Sequence, residues 1–229
     1  MRIAGYQSLS LIDDAGHACA IVFTQGCPFR CPYCHNPGLI PTEGTVEIAE
    51  TEVLRRIDAH RTLLDGVCVT GGEPCVQPDL PRFLREIKAR GLRVKLDTNG
   101  IHPAMVRALV RDGLVDFVAM DLKHAWPSYD RVARTGSAPA IRNCEETFVF
   151  LSSGAVAHEF RTTVSPSLHT MEDLCAIAAQ LGHGERYALQ AIRYARTLDP
   201  DHPRLPADLA PAADAIRCRR PDLDLILRT

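Results

Sequence analysis

Long apolar runs are missing from this 229-residue chain. No stretch approaches the roughly 18 apolar residues of a membrane span. The opening MRIAGYQSLSLIDDAG holds no continuous apolar core of signal-peptide length. These absences predict a cytoplasmic protein with no membrane partner. An excess of one charge is missing too: 26 Lys and Arg stand against 28 Asp and Glu, a formal −2. Bulk electrostatics therefore point to neither nucleic acid nor an anionic membrane surface. Internal repeats, low-complexity tracts and linkers are also lacking. One domain over residues 1–229 is expected, and the 46% apolar residues are enough for a core that needs no disulfide staples.

Cysteine, by contrast, is present nine times. In a reducing cytosol an odd number argues against a disulfide framework. Clustered cysteines then suggest metal or catalysis, and scattered ones simple burial.

Short apolar runs alternate with helical patterns along the chain. The runs are Ala18–Phe23, Val67–Val69, Leu92–Leu96, Val115–Met120, Glu159–Val164 and Tyr187–Ile192. Helices are predicted over Val46–Ala59, Leu80–Arg90, Pro103–Asp112, Cys144–Ser153 and Met171–Leu181. In PDLPRFLREIKARGL, Asp79 is a candidate cap, Leu80, Phe83, Leu84 and Ile87 recur at helical spacing, and Gly91 marks the stop. Strands alternating with helices imply βαβ units and a mainly parallel sheet, either open and doubly wound or a partly closed barrel.

The strand ends locate the chemistry. They read Thr24-Gln25-Gly26-Cys27, Thr70-Gly71-Gly72-Glu73, Asp97-Thr98-Asn99-Gly100 and Asp121-Leu122-Lys123, with Arg161 in the fifth run and Gln190 and Arg193 closing the sixth. This is the rim on which parallel α/β folds build their sites. βα turns are polar in any case, which accounts for Asn99-Gly100. It accounts less well for Asp97, Asp121 and Lys123, which abut apolar strand cores. Asp121 and Lys123, two apart, face the same way.

TQGCPFRCPYCHNPG places Cys27, Cys31 and Cys34 within eight residues, among prolines and glycines that forbid a regular helix. A structural zinc site wants four ligands, and adjacent Cys34 and His35 are poorly placed to share one ion. CPYCH also matches the c-type haem attachment pattern, but that attachment occurs outside the cytosol. An iron–sulfur cubane normally takes four thiolates. Three thiols leave one iron open, on which a second molecule can be bound and reduced.

Cys27-x3-Cys31-x2-Cys34, with Tyr33 before the last cysteine, resembles the signature of the radical S-adenosylmethionine (SAM) enzymes. Val69-Thr70-Gly71-Gly72-Glu73-Pro74 stands after the second run, where that family carries its GGE element. The chain is most similar to the short anaerobic ribonucleoside-triphosphate reductase activating proteins. The stretches that carry this are IAGYQSLSLIDDAGHACAIVFTQGCPFRCPYCHNPGLI, GVCVTGGEPCVQPDLPRFLREIKARGLRVKLDTNG, GLVDFVAMDLKHAW and EFRTTVSPSLHTMEDL, about half of the chain.

The resemblance implies an α/β fold with a partial (β/α)6 TIM-like barrel, one [4Fe–4S] cluster held by Cys27, Cys31 and Cys34, and reductive cleavage of SAM. The deoxyadenosyl radical would take a hydrogen from a glycine of a partner enzyme, with a flavodoxin or ferredoxin-type protein as reductant. It carries SAM contacts over to Tyr33 at the adenine, to Gly71, Gly72 and Glu73 at the methionine, and to Asp97, Asn99, Asp121 and Lys123. Arg161 is a candidate anchor for SAM's carboxylate or for a backbone carbonyl. After residue 190 the sequence AIRYARTLDPDHPRLP departs from the Gln- and Phe-containing segment expected there. One rival is a small-molecule radical SAM enzyme of the 7-carboxy-7-deazaguanine synthase kind. Another is a non-catalytic electron-transfer or zinc module.

Cys19, Cys68, Cys75, Cys144, Cys175 and Cys218 have no CxxC partner, and those in apolar strands are expected in the core. His35, His102, His124 and His169 receive no role. Trp126 is expected either to pack on a loop or to face a partner.

Overall fold

The computed structural model describes residues 1–44, 47–194 and 197–229. The strands are β1 (Ile3–Asp14), β2 (His17–Thr24), β3 (Gly66–Gly71), β4 (Arg93–Thr98), β5 (Phe117–Asp121), β6 (His158–Val164), β7 (Arg186–Ala191) and β8 (Asp224–Arg228). They lie in chain order in one sheet whose edges, β1 and β8, are not joined. The helices are α1 (Glu50–Ala59), α2 (Leu80–Ala89), α3 (Pro103–Arg111), α4 (Asp130–Ala133), α5 (Ala138–Ser152), α6 (Met171–Ala179) and α7 (Ala210–Arg219). β2 to α7 supply the six expected strand–helix units, and β1 and β8 are additions that the apolar runs did not reveal.

The chain forms two compact units. The first holds Met1–Pro28, Gly38–Thr98 and His102–Ala119. Its β1 runs antiparallel to β2, and β2, β3 and β4 are parallel. Both faces of β2 and β3 are buried, which is why they read as unbroken apolar runs. α2 packs against β4 and buries Leu80, Phe83, Leu84 and Ile87, none of which is exposed to solvent. Pro81 suits the first turn of that helix, and Gly91, at φ +68°, follows its end. Asp79 does not cap it: the side chain makes no cap bond, and its Oδ2 instead accepts from the Met1 ammonium at 3.1 Å. The start predicted for α1 at Val46 lies outside the described residues.

The second unit holds Phe29–Pro37, Asn99–Ile101 and Met120–Thr229. In it β6, β7 and β8 are parallel, and Leu122 N–H donates to the Arg161 carbonyl at 2.7 Å. α5 begins six residues before its predicted start, because Ser137 caps it from outside the apolar pattern and a proline fills its first turn. α6 opens with a reciprocal capping box between Thr170 and Asp173. Trp126 stacks on Tyr129 at 5.0 Å and meets Phe148 edge-on at 5.5 Å, so it packs inside this unit.

Candidate functional site

In the first unit the carboxyl ends of β2, β3 and β4 are tied together by main chain. Gly72 N–H donates to the Thr24 carbonyl at 2.9 Å, and Glu73 N–H donates to the Gly26 carbonyl at 2.8 Å. Gly26 N–H and Cys27 N–H donate to Leu39 and Ile40 carbonyls at 2.7 and 3.0 Å. A β-carbon on Gly72 would strike the Gly26 carbonyl and come within 2.8 Å of the Leu39 oxygen. One on Gly71, at φ +118°, would come within 2.6 Å of the Thr24 oxygen. The sequence reading placed these glycines against the methionine of SAM. The structure shows that their bare backbones are already required to seat the loop that carries Cys27.

Glu73 is 1% exposed. Its Oε1 accepts from Thr98 Oγ1 at 2.7 Å and from Cys75 N–H at 3.0 Å, so the carboxylate binds the end of β3 to the end of β4. Cys75 lies buried beside it, its Sγ 3.8 Å from Thr98 Oγ1, and burial pushes its thiol pKa well up. Gln25, already read at this strand end, and two side chains that sequence reasoning passed over, Gln77 and Lys95, belong to this rim. Gln25 Nε2 donates to the carbonyls of Gly38 and Pro41 at 2.9 and 2.7 Å. Gln77 Nε2 donates to the Gln25 carbonyl. Lys95, 4% exposed, pairs with Asp97. A buried polar side chain in an otherwise apolar strand, like Lys95, was the available signal.

Cys31 and Cys34 belong to the second unit, where Cys34 N–H donates to the Cys31 carbonyl at 3.0 Å. Cys31 is buried, while Cys27 and Cys34 are half-buried. Burial pushes Cys31 up to about 11 and raises Cys34 as well. Tyr33 is 4% exposed, and its hydroxyl is buried without a hydrogen-bond partner. Lys123 Nζ lies 5.9 Å from its ring centroid.

Lys123 stands two residues past β5, and its Nζ donates to Asp121 Oδ2 at 3.0 Å. Arg161 Nε, from β6, donates to Asp121 Oδ1 at 3.0 Å. The Lys123 and Arg161 side chains are only 12% and 13% exposed, so this is no surface salt bridge. Burial works against the Asp121 carboxylate, but Arg161 and Lys123 outweigh it and hold its pKa far below the usual range. Burial likewise opposes the Lys123 charge, and Asp121, with Tyr33 and Cys31, keeps its pKa well raised. Asp121 thus accepts from two cations at once. Asn99 Oδ1 accepts from Ile101 N–H at 3.0 Å, closing the turn after β4. Of the remaining histidines, His35 accepts through Nε2 from Arg193 N–H at 3.3 Å, and His169 donates through Nε2 to the Lys123 carbonyl at 2.9 Å.

The donor chemistry discriminates between metal groups. Among the described residues no three Cys, His, Asp or Glu side chains converge as a single ion requires. A cubane takes each thiolate on a different iron, so its ligands stand apart, and three soft thiolates suit it.

The model of the Radical SAM superfamily matches residues 21–146, more than half of the chain. The chain belongs to the radical SAM superfamily. It is 31% identical over 214 residues to a Methanocaldococcus jannaschii protein that bears the provisional name glycyl-radical enzyme activating enzyme; the match covers 89% of this chain and 85% of that one. It is 33% identical over 128 residues to the pyruvate formate-lyase-activating enzyme of Clostridium pasteurianum, covering 54% of this chain and 52% of that one. The chain thus spans about half the length of that second relative. The fold is shared with Streptococcus suis SuiB bound to its precursor peptide SuiA (TM-score 0.70, 13% identity, covering 91% of this chain and 48% of that one). It is also shared with Escherichia coli QueE (TM-score 0.59, 18% identity, covering 100% and 93%). Membership of the superfamily makes the chain an enzyme that uses a [4Fe–4S] cluster and SAM, which removes the non-catalytic rival, and its relatives bear the names of glycyl-radical activating enzymes. Among the described residues no helix is long and apolar enough to cross a membrane.

Proposed function

We propose that this chain generates a glycyl radical on an anaerobic ribonucleoside-triphosphate reductase, working in the cytoplasm with electrons from a flavodoxin or ferredoxin-type protein. The observation that carries it is the 31% identity to a glycyl-radical activating relative over 85% of that protein's length. The choice of reductase as partner rests on the four quoted stretches that resemble its activating proteins.

In this reading Cys27, Cys31 and Cys34 hold the cluster and leave one iron for the amino and carboxylate groups of SAM. The cluster and SAM together supply a one-electron reductive cleavage that yields a radical able to abstract hydrogen. The chain's own residues bind and orient. Lys123 and Arg161, both held on Asp121, are the cations offered to the carboxylate of SAM. Tyr33 offers its ring to the adenine, and its buried hydroxyl has no hydrogen-bond partner within the chain. Gly71, Gly72 and Glu73 hold the main-chain edge of β3 toward the methionine. Asp97 and Asn99, at the end of β4, complete the rim.

The test mixes reduced, cluster-loaded protein and SAM with anaerobic ribonucleotide reductase or pyruvate formate-lyase under nitrogen, followed by electron paramagnetic resonance. The expected outcome is a glycyl-radical doublet on the reductase, with about one SAM consumed per radical. A doublet on pyruvate formate-lyase alone would move the partner. Catalytic SAM use on a small metabolite, with no radical on either protein, would overturn the activase reading.

A further inference from the structure

Arg193 and Asp199, from the stretch that departs from the expected family pattern, bond to the loop of Cys31 and Cys34. Within the second unit Asp199 N–H donates to the Pro32 carbonyl at 3.0 Å, and Arg193 N–H donates to His35 Nε2 at 3.3 Å. These ties flank Tyr33 and Cys34. The stretch is also closed on itself. Tyr194 Oη donates to the Leu205 carbonyl at 2.7 Å, and His202 N–H donates to the Asp199 carbonyl at 3.1 Å.

His202 is 5% exposed, although Asp201 before it and Pro203 to Pro206 after it are exposed. Burying an imidazole from an exposed loop costs desolvation unless partners await it. Here Nε2 meets Ser165 Oγ at 2.8 Å and Ser167 Oγ at 3.3 Å, just past β6. The His202 ring lies edge-on to Tyr33 at 6.4 Å, and the His169 ring stands at the same centroid distance. Ser165 N–H donates to His169 Nδ1 at 3.1 Å, and His169 Nε2 donates to the Lys123 carbonyl at 2.9 Å. A carbonyl only accepts, so the proton sits on Nε2 and the His169 tautomer is set. One hydrogen-bonded line therefore runs from His202 through Ser165 and His169 to Lys123, with Tyr33 beside it.

We propose that His202 is a positioning residue: it latches the stretch after β7 onto Ser165 and Ser167, and so holds the Pro32–Cys34 turn and the Tyr33 ring in place. Its value to catalysis rests on Cys31 and Cys34 being cluster ligands. The latch itself belongs to the chain and is testable without cluster or radical.

The experiment treats cluster-free protein with iodoacetamide under nitrogen and follows each cysteine by peptide mass spectrometry. His202→Ala, and separately Ser165→Ala with Ser167→Ala, should speed labelling of Cys31 and Cys34 about tenfold, the factor one lost hydrogen bond gives in a local opening equilibrium. His202→Gln, which keeps a side-chain hydrogen bond, should stay near wild type. Exposed Cys218 should not change in rate, and buried Cys144 should stay protected. In the loaded enzyme, His202→Ala should raise KM for SAM about tenfold while iron content holds. Unchanged labelling of Cys31 and Cys34 in both variants would overturn the latch. So would equal acceleration at Cys144, which reports general unfolding. The serine pair keeps the test decisive if His202→Ala fails to fold. Faster labelling with no glycyl radical on any partner upholds the latch and removes the activase reading instead.

Discussion

At Gly72 one β-carbon reaches two functions at once. If the position were only a contact to SAM, a larger side chain there would weaken SAM binding and spare the iron. The Gly26 and Leu39 carbonyls occupy the space such a side chain needs, and they belong to the loop of Cys27. Gly72→Val should therefore reduce both iron content after anaerobic reconstitution and SAM affinity. Full iron with weak SAM binding would restore the simpler reading. Arg161 carries a related lesson. As a cation in a strand its importance was legible, but its partner was not, because Asp121 is 40 residues away and reaches it only through the pairing of β5 with β6.

At the scale of elements, β8 was invisible. LDLILR offers only a handful of apolar residues at the end of the chain, and its role comes from what it meets. Arg228 donates through Nη1 and Nη2 to both oxygens of Glu159, at 2.9 and 2.8 Å. Glu159 is 3% exposed and Arg228 32%. Arg228→Ala would leave a buried carboxylate without that partner, at a cost of about 2 kcal/mol, below a fully buried pair because Arg228 is partly wet. Thermal unfolding should shift down by roughly 4–8 °C for a chain of this size. Glu159→Gln added to that variant should recover part of the loss. If it recovers none, the pair does not hold β8 in place. β1 was missed for another reason: its pairing with β2 is antiparallel and irregular, and its Leu9, Leu11 and Ile12 are exposed, so its pattern follows no single face.

For the whole molecule, the nine cysteines divide by environment. Cys19, Cys68 and Cys144 have no exposed surface and behave as small core residues. Reconstituted protein should accordingly bind about four irons per chain, and alanine at Cys27, Cys31 or Cys34 should abolish the cluster. Iron near eight per chain would show a second cluster on the scattered thiols. A full cluster in any of the three variants would overturn the ligand assignment.

What the sequence by itself determined is whatever short spacing dictates. Three thiols within one turn-rich loop stay close along the chain, six apolar runs alternate with amphipathic helices, and polar residues follow each run, so the three-cysteine loop and the polar strand ends could be read directly. Only the tertiary structure decided who meets whom across long separations. It turned Glu73 toward Thr98, gave Arg161 to Asp121, placed Gly72 against the loop it helps seat, and folded the stretch around His202 onto Tyr33. Such pairings depend on strand order and register, which bring residues 25 to 169 positions apart within hydrogen-bonding or ring contact, and no local pattern encodes that.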